Sequence, residues 1–163
     1  MGEGQIGPMP DKETPQDMPQ DETQATDAPF MVGIGASAGG LEATSLLAQN
    51  LPAKQNCVYV LAQHMSPSHK SMLVQLLSRE TTLAVRELED VTRPEPNTIY
   101  VAPPGADVVL CDGYLALEKP EGHSSMPKPS ADRLFKSLAK EAGERSIGIV
   151  LSGTLNDGSY GVQ

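Results

Sequence analysis

Cysteine is scarce in this chain, which holds two among its 163 residues, Cys57 and Cys111. Each lies in an apolar run, and two such thiols are more often buried and reduced than bridged. Long hydrophobic runs are missing too, since none approaches the ~18 residues of a membrane-spanning helix. The amino terminus has neither the basic start nor the apolar centre of a secretory signal. These absences predict a cytoplasmic protein that does not insert into a membrane.

Positive charge is also in short supply, because the net charge is −9. Residues 1–30 hold seven acids and one lysine, so this segment alone accounts for −6. The basic residues of the remaining chain are scattered and do not suggest a phosphate-binding surface, so nucleic acid is not an expected partner. No cluster of cysteine, histidine and carboxylate residues has the spacing of a metal site, and no metal or cofactor is predicted.

Two regions differ sharply in composition. Residues 1–29 are acidic, rich in proline and poor in residues that can be buried, which predicts a disordered leader. Residues 30–163 alternate between strand and helix patterns and are predicted to form one domain. Its apolar strands lack polar alternation, which favours a three-layer, doubly wound, mostly parallel α/β sheet of Rossmann-like type. Asp112-Gly113 between two β runs predicts one β-hairpin in addition.

The predicted elements alternate along the chain and carry local start and stop signals. Ser66 before Pro67 is a favourable helix start, and Ser130 and Gly143 bracket a later helix. The predicted strands are 30–36, 57–62, 83–88, 98–103, the two arms around Asp112-Gly113, and 146–153; the predicted helices are 39–50, 66–80 and 131–143.

The stretch GIGASAGGLEA, from Gly33 to Ala43, fits two functional motifs. Gly33, Gly35 and Ala38 match the G-x-G-x-x-G/A fingerprint of a dinucleotide site, whereas Gly35, Ser37 and Gly39 match the G-x-S-x-G elbow of serine hydrolases. A dinucleotide site also needs an acid at the end of the second strand, to hold the ribose. That strand ends in Gln63-His64 instead, which favours the hydrolase interpretation.

A serine, a histidine and an aspartate each follow a predicted parallel strand, and such strands end at one edge of the sheet. Serine needs an imidazole to take its proton, and the imidazole needs a carboxylate to orient it. Ser37, His64 and Asp157 therefore form a candidate catalytic triad. Their order along the chain differs from the Ser–Asp–His order of α/β-hydrolases. Taken singly, each has a structural alternative as a helix cap, a strand-end histidine or a turn residue.

Four segments together resemble the catalytic domain of the CheB family of chemotaxis protein-glutamate methylesterases: GIGASAGGLEA, QHMSPSHKSML, YVAPPG and DRLFKSLAKEAGERSIGIVLSGTLNDGSYG. The resemblance covers residues 30–163. It implies that Ser37, His64 and Asp157 hydrolyse γ-glutamyl methyl esters on the cytoplasmic helices of methyl-accepting chemoreceptors, releasing methanol. Deamidation of receptor glutamines is implied as a second activity.

The resemblance extends to the organisation of a longer protein. The ASAGGLEA and HMSPSHKS variants are more similar to the subgroup in which the esterase leads a fusion with a methyltransferase domain, so a fused or separate methyltransferase is an expected partner. Family members continue with a further helix and strands, so the domain is expected to be C-terminally truncated here. Two other functions remain open, namely a docking module that binds a receptor segment without turnover and, with less support, a nucleotide-binding Rossmann domain.

Overall fold

A computed structural model of the chain describes residues 28–37, 39–64, 72–119 and 128–151. Three sequence predictions lie outside these residues, namely the disordered leader up to residue 27, the helix start at Ser66 and the position of Asp157.

Strands and helices follow one another much as the sequence pattern predicts. The strands are β1 Phe30–Ala36, β2 Cys57–Gln63, β3 Ala84–Glu87, β4 Thr98–Val101, β5 Asp107–Cys111, β6 Tyr114–Glu118 and β7 Ser146–Val150. The helices are α1 Leu41–Asn50, α2 Met72–Glu80 and α3 Ala131–Ala142, and a short 3-10 turn follows at Gly143–Arg145.

Five of these strands form one parallel sheet in the order β3-β4-β2-β1-β7. Strands β5 and β6 form a separate antiparallel hairpin, as Asp112-Gly113 predicts. The chain leaves β1 through α1 to β2 on one side and returns through α3 to β7 on the other side. The strand order therefore reverses at β1, and in open α/β sheets ligands bind beyond the carboxyl ends of the strands at such a point. The predicted doubly wound α/β fold is confirmed.

The two faces of the sheet are buried against different elements. One face packs against α3 and the hairpin, with Val58 and Val60 of β2 in contact with the cluster around Leu134 and Phe135. The other face packs against α1 and α2, where Leu61 joins a second core cluster. Successive residues of β2 thus enter opposite cores, as the period of two in a strand requires.

One prediction about burial is wrong. Cys111 is predicted to be buried, but it is exposed because β5 ends there at the hairpin turn. Two apolar segments are also more exposed than their composition indicates. Strand β7 lies at an edge of the sheet among the described residues, and its Ile147 and Val150 are 44% and 50% exposed. Met72 is exposed at the first position of α2, while Leu73 and Leu77 are buried.

Candidate active site

Ser37 and His64 follow directly on the two central strands of the sheet. The last pair in the β1–β2 register is Ala36 with Gln63. The ladder continues one step further, because the His64 backbone N–H donates to the Ala36 carbonyl at 2.9 Å. Ser37 and His64 are each 8% exposed. The structure therefore places the predicted nucleophile and the predicted base on adjacent chain segments at the carboxyl edge.

A short turn connects Ser37 to helix α1. The Gly40 N–H donates to the Ser37 carbonyl at 2.9 Å, and the helix begins one residue later. Gly40 occupies the cap position and has no side chain that can accept a bond from the first helical N–H groups. The positive end of the helix dipole lies at this turn, and such N–H groups are suitable donors to a developing oxyanion.

The first turns of α1 carry a second polar feature, which the sequence did not reveal. Thr44 and Gln63 are both 3% exposed, and Thr44 Oγ1 lies 3.3 Å from Gln63 Oε1. The same hydroxyl donates to the Gly40 carbonyl at 2.9 Å. The residue before His64 is therefore connected by side chains to the cap of α1. The sequence signal for this contact was weak: a threonine on the buried face of α1 and a glutamine at the end of the apolar strand β2.

The strand glycines of the motif serve packing rather than ligand binding. A Cβ on Gly35 would lie 2.7 Å from the Ala131 Cβ of α3, and one on Gly33 would lie 2.8 Å from both Phe135 Cδ1 and Leu138 Cδ1. Both glycines thus let α3 approach β1 closely. Packing against α3 explains both glycines, so their G-x-G spacing is no longer evidence for a pyrophosphate-binding site.

The first turn of α3 is held at the same edge by a buried carboxylate. Asp107 is fully buried at the start of β5, and its Oδ1 accepts the Ser130 N–H at 2.7 Å. Its Oδ2 pairs with Lys128 Nζ and lies 3.4 Å from Arg133 Nη1. Arg133 also pairs with Glu118 of the hairpin. The Ser130 hydroxyl caps α3 by accepting the Arg133 N–H at 3.4 Å, so the predicted helix start is confirmed.

Strand β7 approaches the site from the other side of β1. The Leu151 N–H, just after β7, donates to the Gly35 carbonyl at 2.9 Å. The chain therefore reaches the edge beside Ser37 shortly before Asp157. Asp157 itself lies outside the described residues, so its role stays a prediction.

The shifted pKa values that the described residues show occur away from this edge. Burial, together with the neighbouring Cys57, raises the pKa of Tyr59 in the middle of β2. The adjacent Asp112 carboxylate raises the pKa of the Cys111 thiol at the hairpin turn. A cavity of about 470 Å³ lies at the opposite, amino edge of the sheet and is lined by Pro29, Arg93, Pro94, Glu95, Pro96 and Gly113.

Two searches of the described residues concern other kinds of site. No helix in the described ranges has the length and apolar character needed to cross a membrane. Within the same ranges, no group of three or more histidine, cysteine or acidic residues is arranged to hold a metal ion.

Comparison with known proteins identifies the family. The model of the CheB methylesterase family matches residues 32–163, which is most of the chain. The chain belongs to the CheB methylesterase family. This agrees with the resemblance noted in its motifs.

Curated CheB relatives are about one third identical to the chain over the aligned residues. The protein-glutamate methylesterase/protein-glutamine glutaminase of Salmonella typhimurium is 35% identical over 136 residues, covering 81% of this chain and 38% of the relative. Protein-glutamate methylesterase/protein-glutamine glutaminase 3 of Burkholderia lata is 36% identical over 135 residues, covering 81% of this chain and 37% of the relative. The chain thus spans well under half the length of these relatives.

A solved CheB structure has the same fold. The crystal structure of the Thermotoga maritima CheB methylesterase catalytic domain matches with a TM-score of 0.72 and 27% sequence identity. The match covers 82% of this chain and 72% of that structure. The parallel sheet and its flanking helices are therefore those of a CheB catalytic domain, of which the chain covers a part.

Proposed function

We propose that this chain is a serine hydrolase that removes methyl groups from glutamate γ-methyl esters of chemoreceptors. The observation that carries the proposal is the placement of Ser37 and His64 side by side at the carboxyl edge, next to the start of α1. The relatives named as protein-glutamate methylesterases supply the substrate class. Their names also support deamidation of receptor glutamines as a second activity.

The chemistry follows from the roles that these groups can play. His64 takes the proton of Ser37 as its Oγ attacks the ester carbonyl, and the resulting oxyanion accepts bonds from N–H groups at the start of α1. The imidazolium gives its proton to the departing methoxide, which leaves as methanol. Water activated by His64 then hydrolyses the acyl-serine, which leaves the receptor glutamate with a free γ-carboxylate and restores Ser37. Asp157 orients His64 and stabilises its charged form in this scheme.

Several further expectations belong to the same proposal. The catalytic domain comprises residues 30–163 behind a disordered leader at 1–29. It acts in the cytoplasm on receptor helices, alongside a fused or separate methyltransferase. The unbridged thiols Cys57 and Cys111 are compatible with a reducing compartment.

The proposal is tested by methanol release from methylated chemoreceptor membranes. The full chain, Ser37→Ala and His64→Ala are compared with Ser78→Ala, a control on the exposed side of α2. We expect release by the full chain and the control, and a loss of more than about 10³-fold in kcat for the two site variants, with unchanged circular dichroism. Near-native turnover by Ser37→Ala would contradict the triad. Absence of release by the full chain would instead favour a module that binds receptors without turnover.

A further inference from the structure

Two buried polar side chains lie behind the site, where the end of β2 meets the first turns of α1. Gln63 ends β2 directly before His64, and Thr44 lies in α1 shortly after the Ser37 turn. Both are 3% exposed, and Thr44 Oγ1 lies 3.3 Å from Gln63 Oε1 and 2.9 Å from the Gly40 carbonyl oxygen. Burying a polar side chain without a hydrogen-bond partner costs free energy, so the contact between these two side chains helps to stabilise their burial.

A hydroxyl has one hydrogen and donates to one of two oxygens at a time. The Thr44 hydroxyl can donate to the Gly40 carbonyl at 2.9 Å or to Gln63 Oε1 at 3.3 Å. Turning the Gln63 amide over would place Nε2 as a donor to Thr44 Oγ1, and both contacts would then form together. The Gly40 carbonyl also accepts the Thr44 backbone N–H at 2.9 Å, so Thr44 holds this carbonyl with two donors.

These bonds close a ring around the two reactive residues. On one side, the His64 N–H donates to the Ala36 carbonyl, one residue before Ser37. On the other side, the Gln63 side chain contacts the Thr44 hydroxyl, and Thr44 donates to the Gly40 carbonyl. The Gly40 N–H in turn donates to the Ser37 carbonyl at 2.9 Å. The strand ladder fixes the backbone before Ser37 relative to that of His64. The side-chain contacts of Gln63 and Thr44 fix the start of α1 relative to these two strand ends.

We propose that Thr44 and Gln63 are positioning residues that orient the first turn of α1 toward Ser37 and His64. The inference rests on the proposed hydrolase function, because it concerns the donors that would hold the oxyanion. Neither side chain is assigned contact with substrate. Misplacement of catalytic groups by about 1 Å can reduce a rate by about 10²-fold, so loss of these side-chain contacts should act on turnover more than on substrate binding.

The first test compares Thr44→Val, which keeps the shape and removes the hydroxyl, with Thr44→Ser, which restores it. Ser78→Ala is the matched control, because Ser78 Oγ also donates to the carbonyl four residues earlier, that of Val74, at 2.7 Å but on α2. Methanol release is measured where circular dichroism shows each variant folded. We expect Thr44→Val to lower kcat about tenfold or more with little change in KM, and the other two variants to stay within about twofold of the unchanged chain.

The second test asks whether the two residues act as one unit. Gln63→Met retains length without polar atoms, and its loss of kcat should not add to that of Thr44→Val in the double variant. Fully additive losses, or a Thr44→Val enzyme with unchanged kcat, would overturn the inference while leaving the hydrolase proposal intact.

A readout independent of turnover separates this inference from the proposed function. Labelling of Ser37 by a fluorophosphonate, followed by mass spectrometry, should be slower in Thr44→Val and normal in Thr44→Ser. Failure of the unchanged chain both to label and to release methanol would overturn the hydrolase function and the inference with it. Labelling at equal rates in all variants would overturn only the role of Thr44.

Discussion

Helices α1 and α3 both begin at the carboxyl edge of the sheet, yet their first turns are held in different ways. The start of α3 is closed by protein groups, since Ser130 caps it and Asp107 accepts the Ser130 N–H. The start of α1 is Gly40, which has no side chain to act as a cap. Side chains thus close the start of α3, whereas the start of α1 has no side-chain cap, as the proposed oxyanion role requires.

The space between β1 and the two helix starts also differs. Helix α3 lies so close to the strand that Gly33 and Gly35 have no room for a side chain. At the turn before α1, a Cβ on Gly39 would meet no atom of the described residues within 4 Å. Glycines of one short motif therefore serve tight packing in one place and an open turn in another.

The largest effect is expected from removing the anchor of α3. Asp107→Ala leaves Lys128 without its buried partner and the Ser130 N–H without its acceptor. We expect the free energy of unfolding to fall by about 3 kcal/mol, the low end for breaking a buried ion pair, because Arg133 is partly exposed. Urea denaturation followed by circular dichroism measures the loss. Asp107→Asn keeps the Oδ1 acceptor and should lose less; equal stability of Asp107→Ala and the unchanged chain would refute the anchor.

A smaller loss is expected from filling the space between β1 and α3. Gly35→Ala brings two Cβ atoms to 2.7 Å, so α3 must shift, and we expect a loss of about 2 kcal/mol in unfolding free energy. Gly33→Ala meets Leu138 Cδ1 and Phe135 Cδ1 at 2.8 Å, and both side chains are buried, so a similar loss of about 2 kcal/mol is expected. The two midpoints in urea provide the measurement, and a variant as stable as the unchanged chain would argue against close contact between β1 and α3.

The smallest effect is expected at the open turn. Gly39→Ala encounters no neighbouring atom in the part of the chain that the structure describes, and alanine restricts the unfolded chain more than glycine does. We expect a change within about 0.5 kcal/mol of unfolding free energy, with the sign toward stabilisation. A loss as large as that of Gly35→Ala would remove the distinction between the two sets of glycines.

Local sequence signals were sufficient for most of the fold. Apolar runs predicted the strands, Ser130 predicted the start of α3, and Asp112-Gly113 predicted the hairpin, because each depends on neighbours in the chain. The edge position of Ser37 and His64 followed from the rule that parallel strands end together.

Contacts between distant segments were not accessible in this way. The burial of Thr44 depends on Gln63, which belongs to the next strand. Leu46 of the same helix, by contrast, is 60% exposed, although leucine is more apolar than threonine. The packing role of Gly35 likewise depends on the position of α3 against β1, which the local sequence does not give. Such pairings arise from tertiary packing, which overrides local preference.

The close approach of α3 to Gly35 has an evolutionary consequence. A side chain at Gly35 fits without displacing α3 only if Ala131 loses its own, so we expect the two positions to covary among sequences that keep this fold. Such compensated exchanges would pass through a disfavoured single substitution in either order. The strand that leads to Ser37 is thus constrained in its history by a helix far along the chain, independently of any selection on chemistry.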